Sequence, residues 1–100
     1  MFACVLVVDL RLPLTGSLKA KRATITPILE GARRRHRVAV SEVGHQDQWQ
    51  RSELAFATVG SSEGQARDVL DAVERFVWSF PEVEVVGAWR RWADDEEDER

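Results

Sequence analysis

From Phe2 to Leu12 every second residue is apolar: Phe2, Cys4, Leu6, Val8, Leu10 and Leu12. A β-strand repeats its side-chain direction every two residues, so these six lie on one face. The opposite face carries Ala3, Val5 and Val7 before turning polar at Asp9 and Arg11. A strand apolar along one whole side needs a covering layer. A chain of 100 residues must supply that layer from within one domain of ordinary size.

The covering layer is legible as two helices. Ser17 is placed to cap the first, whose apolar positions Leu18, Ile25, Ile28, Leu29 and Ala32 follow helical spacing. Pro27 lacks an amide proton and predicts a kink. Ser62 with Gln65 three positions on forms a capping box for the second helix. Ala66, Val69, Leu70, Val73, Val77 and Phe80 then make one stripe that Pro81 stops. Between the helices, residues 37–43 and 53–59 read as strands around the loop 44–52, and residues 82–91 read as a fourth strand. The order βαββαβ predicts an α+β, ferredoxin-like two-layer sandwich: a four-stranded antiparallel sheet with both helices on one face.

Charge divides the chain into two parts. Residues 94–100 carry six acids and one base, which leaves 13 bases and 11 acids in residues 1–93. The sequence therefore predicts one domain over 1–93 and a disordered acidic tail over 94–100. Nothing approaches the roughly 18 apolar residues of a membrane span. The apolar opening follows no basic residue and ends at Asp9, so it reads as a strand and not as a signal peptide. Cys4 is the single cysteine; one thiol cannot staple a fold, and the expected compartment is the cytoplasm.

Residues 10–37 hold eight bases against the single Glu30. Lys19, Lys21 and Arg22 crowd the start of the first helix, where cations oppose the positive end of the macrodipole. Local rules are broken mostly at functional sites, and cations beside free helix amides suit a phosphate. Arg33, Arg34, Arg35 and Arg37 gather about 20–25 Å away at the other end, a spacing that could follow a phosphate backbone. The competing readings are a solvated basic face at the first end and ordinary dipole compensation at the second.

The loop from Gly44 to Arg51 brings His45, Asp47, Trp49, Gln50 and Arg51 together. His45 and Asp47 could pair to orient a base, but no nucleophile lies nearby. His36, Glu42, His45 and Asp47 match no metal-ligand spacing. The plainer expectation is that Trp49 anchors the loop on the core while Asp47 caps backbone amides. No catalytic residue, metal or cofactor is expected. Residues 53–59 also lack the aromatic signature with which RNA-binding sandwiches of this topology stack bases.

The segments Ser-Leu-Lys-Ala-Lys-Arg (17–22) and Ser-Glu-Val-Gly-His-Gln-Asp-Gln-Trp-Gln-Arg (41–51) resemble the two hallmark motifs of the YlxP-like family. These are short bacterial proteins without an established function. The resemblance covers about residues 1–92, and Pro27 and the acidic tail depart from the pattern. It implies a ferredoxin-like fold in the cytoplasm, and gene neighbourhoods in the family imply a link to translation. The resulting expectation is a non-enzymatic accessory protein that binds RNA or the ribosome through the first helix and the 44–51 loop. The alternative is a dimeric small-ligand-binding or regulatory module. A homodimer through the open sheet face is expected because Ala3, Val5, Val7, Ala55, Ala57 and Val59, with Val86 and Ala88, leave that face apolar. No membrane contact is expected.

Overall fold

A computed structural model of the chain describes residues 1–93; the acidic segment 94–100 lies outside the described residues. The elements are β1 (Phe2–Arg11), α1 (Leu18–His36), β2 (Ala39–Gly44), β3 (Arg51–Gly60), α2 (Glu63–Trp78) and β4 (Glu84–Trp92). The strands form one sheet in the order β2-β3-β1-β4, with every neighbouring pair antiparallel. The architecture is the ferredoxin-like βαββαβ sandwich that the two periodicities require.

The alternation along β1 decides which face the helices cover. Cys4, Leu6, Val8 and Leu10 are buried, as are Leu54 and Phe56 of β3. Ile25, Ile28 and Ala32 of α1 meet them, with Leu70, Val73 and Val77 of α2. The helices themselves approach closely at Gly31. A Cβ there would sit 2.5 Å from Cζ of Phe76, so a larger residue would force the ring to shift. On β4, Arg90 reaches back to Asp71 at 2.8 Å and Glu74 at 3.1 Å, fixing α2 against the sheet edge. Burial works against the charged Arg90, but the hydrogen bonds it donates to both carboxylates outweigh it and raise its pKa.

Several boundaries move for physical reasons. Arg37 adopts left-handed φ 56 as the C-cap of α1, so β2 begins only at Ala39. The β1–β3 ladder runs from Phe2↔Gly60 to Arg11↔Arg51, which draws Arg51 and Ser52 into the strand. Ser79 caps α2 after Trp78, and β4 starts at Glu84. α1 runs through Pro27 as one helix. The capping box is altered: Ser62 Oγ accepts from Gln65 N, but the Gln65 side-chain oxygen accepts from Ser61 N.

The open face also differs at β4. A bulge between Asp9 and Leu10 leaves Val86 outside the ladder, and Ala88 pairs with Val8 on the helix side. Gly87, Trp89 and Arg91 instead pair with Asp9, Val7 and Val5, so they share the open face with Ala3, Ala55, Ala57 and Val59.

Candidate functional site

The stripe that seats α1 on the sheet is Lys21, Ile25, Ile28 and Ala32. Its first member is a cation, and it is only 3% exposed. Burying an ammonium is costly unless it is paired and hydrogen-bonded. Here it is both. Nζ donates to the carbonyls of His45 at 2.8 Å, Gln46 at 3.1 Å and Arg51 at 3.3 Å. It also lies 2.9 Å from Glu42 Oε2, which accepts a further hydrogen bond of 2.7 Å from the buried Ser52 hydroxyl.

Lys21 therefore leaves the basic surface on which the sequence placed it. It is the clamp that holds the β2–β3 loop against α1. The loop is stitched a second time by Gln50, whose amide donates to the carbonyls of Thr15 at 3.2 Å and Pro13 at 3.4 Å. Trp49 does not anchor this loop on the core: its side of the loop faces solvent, and the residue is 53% exposed. His45 takes left-handed φ 57, and its Nδ1 meets Gln48 Nε2 at 3.2 Å in place of Asp47, which is exposed.

The remaining cations of α1 and its C-cap stay outside. Lys19, Arg22, Arg33, Arg34, Arg35 and Arg37 are exposed. Arg33 bonds Glu30 at 2.7 Å, which holds the Glu30 carboxyl below its ordinary range. An exposed pair of this kind contributes little, so it leaves Arg33 open to exchange partners. Arg35 lies 5.1 Å over the Phe76 ring.

A second polar group occupies one end of the open face. Arg51 Nη2 bonds both Asp9 oxygens at 3.0 and 3.1 Å. Asp9, His45 and Glu53 bring ligand-type atoms within 4.8 Å of one another. This trio replaces the quartet considered from sequence. Glu42 points instead to Lys21, while His36 lies against Phe76 with ring centroids 5.9 Å apart. A cation could share such donors, but the Arg51 guanidinium already occupies Asp9, so the cluster is a salt-bridged one.

The sequence reading missed the pairing of Lys21 with Glu42, although its signal was present. Lys21 stands four residues before Ile25 on the buried stripe, and Glu42 is two residues after Val40 on the inward side of β2. Two opposite charges on two inward faces have to meet or stay unpaired.

By topology the molecule is a ferredoxin-like α+β sandwich, and two designed proteins of known structure share that shape. One is the de novo designed protein LFR1 1 with ferredoxin fold, at TM-score 0.53 and 11% identity over 93% of this chain and 84% of the other. The second is the de novo designed protein Foldit4, at TM-score 0.54 and 12% identity over 94% and 98%. Identities this low speak to fold alone. The family is given by sequence: residues 3–90 match the profile described as protein of unknown function (DUF503), and the chain belongs to that family. It is 45% identical to the uncharacterized protein YlxP of Bacillus subtilis (strain 168) over 69 residues, 69% of this chain and 75% of that protein. Among the described residues no helix is long and apolar enough to cross a membrane.

Proposed function

We propose that this protein acts without catalysis, as an accessory protein that binds structured RNA, the ribosome's included, in the cytoplasm. One observation carries the reading. The Lys21 clamp makes the exposed Trp49 loop and the cation-lined α1 parts of one rigid surface. Five exposed cations in a helix of 19 residues, with Arg37 at its C-cap, span about 28 Å at 1.5 Å per residue, enough to follow several phosphates. An indole beside such a stripe offers a stacking surface for an unpaired base. Because the loop is already fixed, binding need not order it first.

The test is co-sedimentation with ribosomal subunits, and with purified ribosomal RNA, across a salt series. Replacing Lys19, Arg22 and Arg34 together by alanine removes three phosphate contacts and lowers the salt slope by about 2–3 units. Lys21 is left in place, since its loss would disturb the loop. Association that survives the triple substitution unchanged overturns the reading.

A further inference from the structure

The face of the sheet away from α1 and α2 is built from small apolar side chains. Ala3, Val5 and Val7 of β1 lie beside Ala55, Ala57 and Val59 of β3, with Trp89 opposite Val7. Val59 is 72% exposed and Trp89 43% exposed. A fully solvated antiparallel face would alternate to polar residues here, and contiguous apolar patches on monomers are small.

The charges on this face identify the occupant. Arg91 pairs in register with Val5, and Glu53 pairs with Asp9, on the strands flanking β1. They stand two residues either side of Val7, one on β4 and the other on β3. Among the described residues, neither takes part in an ion pair: Asp9 is matched by Arg51, the Glu53 carboxylate stands beside Asp9 and His45 without a cation of its own, and Arg91 has no carboxylate partner. A two-fold axis lying in the interface, passing over Val7 and running perpendicular to the line from Arg91 to Glu53, sets Arg91 opposite the partner's Glu53, and the reverse. Such an isologous interface uses each patch twice and closes after two copies.

We infer that the open sheet face is the interface of a homodimer, in which two-fold symmetry about Val7 pairs Arg91 of each protomer with the partner's Glu53. The small side chains let the two sheets approach at the usual spacing of about 10 Å. Trp89, alongside the axis, supplies an aromatic anchor of the kind that dominates interface energetics. α1 and its cations remain on the outside of both protomers, so the dimer stands independently of RNA binding.

Sedimentation equilibrium of the full chain at about 100 µM, where mass action favours a micromolar dimer, should give twice the 11.4 kDa of the chain. Arg91→Glu or Glu53→Lys alone should raise the dimer Kd at least about tenfold, and the two together should return it to within about threefold of wild type. Val5→Glu with Ala57→Glu should give a monomer with an unchanged far-UV circular dichroism spectrum. A monomeric wild type overturns the inference, whether the acidic segment 94–100 or solvent covers the face. A dimer indifferent to both single reversals, or one that the double reversal fails to restore, overturns the Val7-centred arrangement.

Discussion

The Lys21 ammonium and the Glu42 carboxylate, 2.9 Å apart with side-chain exposures of 4% and 18%, join the first turn of α1 to the inward face of β2. The pair is unlike the exposed Arg33–Glu30 and Arg67–Glu63 pairs, which sit along single helices. Solvent screens those, and they contribute little.

Removing one partner of a buried pair strands the other. Lys21→Met should therefore cost about 3–5 kcal/mol in urea unfolding, because Glu42 loses its cation and three loop carbonyls lose their donor. Adding Glu42→Leu should recover part of that loss, as replacing both charges by apolar groups usually does. Lys19→Ala, on the exposed side of the same turn, should stay within about 0.5 kcal/mol of wild type. A Lys21 variant as stable as the Lys19 variant would remove the clamp from the account of this fold.

Periodicity made the architecture legible: the alternation of Cys4, Leu6, Val8 and Leu10 and the α2 stripe through Leu70 and Val77 each admit one reading. What stayed hidden depends on contacts distant in sequence. Lys21 looked like one more cation in a basic turn because its acceptors are contributed by residues 42–51. The bulge at Asp9/Leu10 was equally invisible, and it moved Val86 out of the ladder and Trp89 onto the open face. A one-residue slip reverses every side chain of a strand, so the apolar face was foreseen while its β4 members were not.

Trp49 separates recognition from structure. At 53% exposure it contributes little to packing, so Trp49→Ala should leave the urea midpoint close to wild type. Its affinity for single-stranded or looped RNA should fall by about 1–3 kcal/mol, the contribution of one base stacked on an aromatic ring. Fluorescence titration of the variant against the same RNA decides it. Equal affinity would confine the interface to α1.

Gly44 and Glu53 face each other across the β2–β3 ladder. A Cβ at residue 44 would collide with the Glu53 carboxylate and also lie 3.0 Å from its Cβ. Gly44→Ala should therefore destabilise by about 1–3 kcal/mol, the usual cost of overpacking. Glu53→Ala alone should be mild, and the double variant should recover most of the loss, a coupling that a double-mutant cycle reads directly. If the two effects simply add, the close approach is not what requires glycine at this position.

Cys4 provides a pH signature of the folded core. Its thiol is 1% exposed on the helix side of β1, and burial pushes its pKa above the ordinary thiol value against the opposing pull of Arg90. The native chain thus keeps a proton that the unfolded chain releases. Wherever the unfolded state binds fewer protons, stability falls as pH rises. The stabilising contribution is complete below the unfolded thiol pKa and declines above it, by at most about 1.4 kcal/mol per pH unit. Cys4→Ala lacks this term, so its deficit relative to wild type should shrink between about pH 8 and pH 11. Other titrating groups are common to both proteins and cancel in the difference. Urea midpoints of the two across that range make the comparison, and a gap that stays constant with pH would mean the Cys4 thiol titrates alike in the folded and unfolded chain.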